Sequence, residues 1–320
     1  PAFTEILEDA ATRIRRLMNI PSDYEVLFLQ GGGRLQNAMI PMNLMDNQNQ
    51  VADYLVTGSW GKKSSEEVHH YGKLNVAWDG ANQSYSTVPT ADDLKLTDDA
   101  AYVHFTSNET IQGVQFPITP EISNAPLVCD QSSDILCRPR DVSKYGLIYA
   151  CAQKNIGVAG LTLVVIRKDL MERAGNRLAG YLTYNQHAKA GSRFNTPPTF
   201  SIYVFGLVCK WIEETMGGVE KVHDLNLQKS QLLYDVVDQS GGFYTGHAKP
   251  DCRSIMNVVF KLANEELDSR FLEQAAQNGM TTLKGHRSLG GIRASVYNAM
   301  PLEGAQTLSD FMKDFAKNNG

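Results

Sequence analysis

The sequence predicts an α/β fold, a mainly parallel sheet sandwiched by helices, with a smaller C-terminal α+β domain. Three observations lead there. Short, nearly continuous apolar runs of strand length recur between residues 24 and 166, as strands buried on both faces require. Helices or long crossovers separate most of these runs, and parallel pairing needs such connections. After Pro197-Pro198 the character changes to long helices alternating with a few strands.

Phe3, Ile6, Leu7, Ala10, Ile14 and Leu17 recur at helical spacing, so residues 2–18 form an amphipathic helix that stops before Pro21. The run YEVLFLQ (24–30) is a strand; it ends at Gly31-Gly32-Gly33, and RLQNAMIPMNLM reads as a helix. The pattern repeats with ADYLVTG as a strand and KKSSEEVHHYG as a helix, then strands at NVAW, AYVHF, PLVCD, GLIYACA and LTLVVI. The last two are adjacent in sequence and joined by KNIGVAG, whose glycines suit a reversal, so one antiparallel strand is expected. Beyond Pro198 come the helices TFSIYVFGLVCKWIEETMG and VEKVHDLNLQKSQLLYDVVDQS, the strand MNVVFKL, a helix near 264–278, the strand GIRASVYNA and a helix near 306–317. A boundary at Gly217-Gly218 divides the chain into a large domain, 1–216, and a small one, 217–320.

With 320 residues and 42% hydrophobic content the chain can bury a sizeable core. A net charge of −5 exerts no overall pull on nucleic acid or anionic membrane, so no partner of either kind is expected and any bound anion must be caught by local geometry. The five cysteines lack CxxC spacing and sit mostly in apolar runs, which reads as reduced thiols of a cytoplasmic protein with no metal site. No apolar run has the length of a membrane span, and PAFTEILEDA lacks the character of a signal peptide.

Parallel sheets place ligands at the carboxyl ends of their strands, so residues just after the apolar runs are the candidates. Gly31 to Arg34 open a helix, where free N–H groups and Arg34 suit a phosphate; a plain tight turn fits the same residues. Asp130 after PLVC and Lys154 after YACAQ are charges at the mouths of buried strands. Such a carboxylate can keep a pyridine nitrogen protonated, and such a lysine can serve as Schiff-base amine and then general acid/base. An Asp–Lys ion pair at the sheet edge is the alternative. The Ser107-Asn108-Glu109-Thr110 turn after AYVHF is the fourth position. Trp60 either stacks on an aromatic ligand or fills the core. Lys62 and Lys63 read as a solvated helix start, His69 and His70 as surface residues, and His104 as a satisfied core histidine. His286, Arg287 and Arg293, in KGHRSLGGIRAS, can neutralise a carboxylate or phosphate, or form a basic surface loop.

The stretches VLFLQGGGRLQNAMIPMNL, AYVHFTSNETIQG, AQKNIG, FNTPPTF and GHRSLGGIRAS, in this order, resemble the phosphoserine aminotransferases of the fold-type I pyridoxal-phosphate superfamily. The resemblance covers essentially the whole chain. It implies a seven-stranded-type sheet and pyridoxal 5'-phosphate as cofactor, bound as a Schiff base to Lys154. Gly33 and Arg34 would hold the cofactor phosphate, Trp60 would stack on the ring, Thr110 would bond near the ring hydroxyl, Asp130 would pair with the ring nitrogen, and Gln153 would contact the cofactor. Asn195 and Thr196 would reach the phosphate of the neighbouring subunit, which implies a homodimer with shared sites. His286, Arg287 and Arg293 would bind the acidic groups of L-glutamate and 3-phosphohydroxypyruvate, on the route to serine; a longer phosphorylated keto acid of vitamin B6 synthesis is an alternative acceptor.

Two departures stand out. The family's GPAG after the lysine motif reads GVAG here, Gly157 to Gly160, and the family carries a further N-terminal segment with a His-Arg pair at the substrate site, whereas this sequence opens at Pro1. Three rival readings stay open: a cysteine desulfurase or alanine–glyoxylate aminotransferase on the same cofactor, a nicotinamide-dependent dehydrogenase with Asp46 or Asp53 as ribose partner, and a non-catalytic binding protein. The desulfurase needs a nucleophilic cysteine on a loop, for which only Cys252 qualifies, and the dehydrogenase leaves Lys154 without a role.

Overall fold

The computed structural model describes residues 2–320. Helix α1 (Ala2–Leu17) leads into β1 (Tyr24–Leu29), α2 (Gly32–Leu44), β2 (Val51–Val56), α3 (Ser59–Ser65), β3 (Lys73–Asp79) and β4 (Tyr102–Thr106). A two-residue ladder, β5 (Asn108–Glu109) with β6 (Val114–Gln115), precedes β7 (Leu127–Asp130), β8 (Leu147–Cys151), the helical turn α4 (Ala152–Asn155) and β9 (Thr162–Arg167). Then come α5 (Lys168–Met171), α6 (Tyr184–Lys189), α7 (Thr199–Glu214) and α8 (Val219–Gln239). Strands β10 (Thr245–Gly246) and β11 (Asn257–Lys261), helix α9 (Glu265–Gln277), β12 (Ile292–Ser295) and α10 (Leu302–Asn319) complete the chain.

The main sheet has seven strands in the order β1-β9-β8-β7-β4-β2-β3. Strand β9 runs antiparallel to both β1 and β8, and the other pairings are parallel. The reversal expected between GLIYACA and LTLVVI is therefore the β8–β9 connection.

Strand side chains alternate between faces, and here that alternation divides the core. Val103, Phe105, Leu127, Cys129, Ile148, Ala150, Leu163 and Val165 join one cluster with Leu7, Ala10 and Ile14 of α1 and Ile202, Phe205 and Cys209 of α7. Tyr54, Tyr102, Val128, Tyr149 and Val164 face the other way, onto Met39, Ile40 and Leu44 of α2 and Leu170 and Met171 of α5. Helices cover both faces, so the strand interiors are mostly apolar, with Asp53 in β2 and His104 in β4 as buried polar exceptions. Helix α1 exists because its buried stripe meets α7; burying Leu7 and Ile14 stabilises by about 1.5–3 kcal/mol each. The two helices approach closely where a Cβ on Gly206 would stand 3.5 Å from the Ala10 Cβ.

A separate cluster forms from Leu233, Val237, Phe260, Phe271, Ile292, Met312 and Phe315, between α8, α9, α10 and the three-stranded sheet β10-β11-β12. In α8, Lys229 is fully buried. The Nζ donates to the carbonyls of Val296, Tyr297 and Met300 at 3.0, 2.8 and 3.0 Å, matching its three N–H bonds to three acceptors, while burial lowers its pKa to about 8. Lys229→Met would leave those carbonyls unpaired. We expect a loss of about 3 kcal/mol, read as a lower urea midpoint at unchanged slope; an unmoved midpoint would contradict this role.

Local differences from the sequence reading have physical causes. The helix expected from Lys62 begins at Ser59 and gives way to a 3-10 turn at Glu66–His70, because a distant carboxylate caps it three residues early. Helix α10 starts at Leu302, directly after Pro301 at its N-cap. His104 is buried as expected but only half satisfied. Its Nε2 lies 3.1 Å from the Tyr149 hydroxyl and its Nδ1 has no partner, and burial lowers its pKa to about 3. The five cysteines are free and buried, Cys252 included.

Candidate active site

Because β1, β2, β4, β7 and β8 run in one direction, their carboxyl ends gather the glycine turn, Trp60, Glu109-Thr110, Asp130 and Lys154 along one edge of the sheet. Gly31 and Gly32, at the junction of β1 and α2, both have positive φ (87° and 64°), a conformation open chiefly to glycine. Arg34 is exposed in its first turn, and the Gly33 N–H points at Cys151 Sγ, 2.9 Å away.

Trp60 follows β2. Its indole Nε1–H donates to Thr110 Oγ1 at 3.0 Å, and the Lys154 Nζ lies 5.3 Å from the ring centroid. Lys63, expected to be solvated, instead places its Nζ 4.7 Å from the same ring, so two ammonium groups share one aromatic partner. Trp60 is thus neither free nor a core residue; its ring stands beside the lysine.

Asp130 closes β7, half-buried, with Oδ1 accepting the Ser132 N–H at 2.8 Å. Burial pushes its carboxyl above the usual range, and the Lys154 charge and the Ser132 bonds pull it back. The Lys154 charge therefore acts on the Asp130 carboxyl. Lys154 sits in α4 directly after β8, half-buried, with Gln153 exposed beside it. Val158, where the family has proline, is part-exposed on the following turn.

The segment bearing Lys154 is held by buried amides that the sequence reading did not single out. Asn155 Nδ2 donates to the Ile135 carbonyl at 2.7 Å, while its Oδ1 accepts the Asn298 N–H at 2.9 Å. Asn298 in turn bonds Leu136 and Asn226. The loop after β7 is braced by buried Asp134, which pairs with Arg140 and accepts from Ser107 and Gln115. Polar residues in an otherwise apolar stretch were the available signal; their partners lie too far along the chain for a local pattern to find.

His286, Arg287 and Arg293 fall in and beside β12. His286 is held by Ser288, its Nδ1 2.8 Å from the Ser288 hydroxyl. Burial and the charges of Arg293, Lys63 and Arg287 lower its pKa. Arg293 itself lines a cavity of about 620 Å³ with Met280, Thr282 and Leu283, whereas Lys154 lines a different cavity of about 320 Å³ with Asn155, Val208, Trp211 and Ala299. Asn195 and Thr196 are exposed; the Asn195 amide and the Thr196 carbonyl both bond Gln30, the residue before the glycine turn, at 3.1 and 3.3 Å. Within one chain they stand beside the glycine turn.

Residues 1–308 match the family model described as Aminotransferase class-V. A phosphoserine aminotransferase of Rhodopirellula baltica is 52% identical over 99% of this chain and 85% of its own length. Among solved structures, the phosphoserine aminotransferase from Bacillus circulans subsp. alkalophilus superposes with a TM-score of 0.97 at 45% identity, covering 100% of this chain and 88% of that one. The pyridoxal-phosphate-bound phosphoserine aminotransferase from Trichomonas vaginalis reaches 0.91 at 38% identity over 98% of this chain and 88% of its own. The chain belongs to the class-V aminotransferases, within the phosphoserine aminotransferase family of pyridoxal-phosphate-dependent transaminases.

Proposed function

We propose that this protein transfers the amino group of L-glutamate to 3-phosphohydroxypyruvate, giving O-phospho-L-serine and 2-oxoglutarate, with Lys154 as the covalent anchor of pyridoxal phosphate and the proton carrier. The observation that carries the reading is the juxtaposition of an amine, a carboxylate and a flat aromatic wall: Lys154 lies 5.3 Å from the Trp60 ring centroid and its charge is felt by Asp130. That donor set fits the cofactor group by group. The glycine turn at the start of α2 and the exposed Arg34 guanidinium suit its phosphate, Trp60 its ring face, Thr110 its hydroxyl, Gln153 its edge, and Asp130 its nitrogen.

When bound, pyridoxal phosphate supplies an electron-withdrawing pyridinium ring. Asp130 holds the proton on the ring nitrogen. Burial disfavours a lone carboxylate charge there, so a cationic partner is favoured. Lys154 takes the proton from the substrate's Cα and returns it on the other side of the transfer. Trp60 keeps water off one face. His286, Arg287 and Arg293 bind the acidic groups of both substrates; none of the three takes part in the ion pairs found among the described residues, so their charges are free for a ligand.

We place Asn195 and Thr196 at the partner's site in a homodimer. Phe200, Tyr203 and Leu207 recur along one face of α7 and are 68%, 45% and 46% exposed, with Phe194 nearby at 44%; so much unpartnered apolar surface beside FNTPPTF supports an interface. We further divide the chain into domains 1–216 and 217–320, in line with the separate third core cluster. Free buried cysteines support a cytoplasmic setting, and no helix among the described residues is long and apolar enough to cross a membrane.

The test is a steady-state assay with glutamate as donor. We expect 3-phosphohydroxypyruvate to be used, and hydroxypyruvate, lacking the phosphate, to fall by about 10³ in kcat/KM, because the cationic site is left unpaired. Equal use of both acceptors would remove the substrate assignment while leaving the transaminase family untouched.

A further inference from the structure

Glu109 is fully buried, and both of its carboxylate oxygens are spent on one short segment. Oε2 accepts the Trp60 N–H at 2.9 Å and Oε1 the Gly61 N–H at 2.7 Å. The next residue, Thr110, accepts the indole N–H of the same tryptophan at 3.0 Å. Consecutive residues after β4 thus grip Trp60 at its backbone and at the far end of its side chain. Such a grip leaves the ring little rotational freedom.

The surroundings are shaped for this carboxylate. A Cβ on Gly58 would fall 2.5 Å from Glu109 Cδ, and one on Gly61 would stand 3.3 Å from Oε1, so the glycines flanking Trp60 make the room. Helix α3 has no side-chain cap of its own, and a local Ser or Asp at position 58 would cap it more simply if capping were all that mattered. Burial lifts the Glu109 pKa to about 7, with the two N–H bonds and the Lys154 charge drawing it down and Asp130 pushing it up; Tyr85 is the other titratable group that feels it. A glutamine would offer one acceptor to two N–H groups and turn a donor toward the other.

We propose that Glu109 is a positioning residue for the transaminase reaction, its carboxylate fixing the backbone of Trp60 and Gly61 and so the pose of the indole against the cofactor ring. The proposal rests on the assignment of Trp60 to the cofactor face. Its test is a double-mutant cycle on the enzyme stripped of cofactor and titrated with pyridoxal phosphate at pH 8, reading affinity and the visible circular dichroism of the bound cofactor. Glu109→Gln should weaken binding about tenfold and diminish the dichroism. In a Trp60→Ala background it should weaken binding less than about twofold, because the ring it places is gone.

Native-like Glu109→Gln protein with unchanged affinity would overturn the proposal, as would an equal loss in both backgrounds, since capping alone is indifferent to the ring. Unchanged affinity in Trp60→Ala alone would instead overturn the Trp60 assignment. Should Glu109→Gln fail to fold, Gly58→Ala replaces it in the cycle, because its methyl displaces the carboxyl group without altering its charge.

Discussion

Lys154→Ala is expected to lower turnover by about four orders of magnitude or more, because in the proposed mechanism one side chain supplies both the covalent anchor and the proton carrier. The residue sits in α4 at the carboxyl end of β8, and the segment around it is fixed by Asn155, whose amide is tied to the Ile135 carbonyl and to the Asn298 N–H. Removing the side chain beyond Cβ leaves those bonds in place, so the fold should survive. Three measurements separate chemistry from misfolding. Far-UV circular dichroism should match the parent; borohydride reduction followed by peptide mass spectrometry should find the cofactor on Lys154 in the parent and on no peptide of the variant; and added methylamine, small enough for the vacated space, should restore part of the rate. Turnover within tenfold of the parent would end the assignment of Lys154.

The placing of Lys154 at a strand end and the long-range bonds of Glu109 show what a chain reveals of its own site. A lysine directly after the apolar run GLIYACA stands out because charge at the mouth of a buried strand is costly unless it is paired or used. The parallel sheet was legible for a related reason: strands buried on both faces are mostly apolar, as the clusters on either side of residues 102–106 and 147–151 require, His104 apart. Glu109 looked like one polar residue in a turn. Its partners at Trp60 and Gly61 lie 49 and 48 positions away, and only the parallel pairing of β2 with β4 brings the two loops together. The early start of α3 was hidden by the same long-range bond. Lys63 was read as solvated because helical spacing does not reveal that Trp60, three residues before it, presents its ring to a cation. Motif order along the whole chain carried the catalytic roles that local pattern left open between an ion pair and a cofactor site.

Asp130→Ala is expected to lower turnover by about three orders of magnitude while changing cofactor affinity far less. The carboxylate lies at the end of β7, where burial disfavours its charge and Lys154 and the Ser132 N–H favour it. A cation opposite such a group is held strongly, and its proton stays in place at neutral pH. Without it the ring nitrogen loses its proton, the negative charge left at Cα has nowhere to spread, and removal of the Cα proton becomes the slow step. Two readouts follow. Glutamate deuterated at Cα should show a larger kinetic isotope effect in the variant than in the parent, and a cofactor methylated at the ring nitrogen, whose positive charge needs no carboxylate, should recover part of the lost rate in the variant but not improve the parent. A structural role for Asp130, limited to its bond with Ser132, would leave the isotope effect unchanged and give no recovery, because a fixed charge on the ring cannot repair a turn.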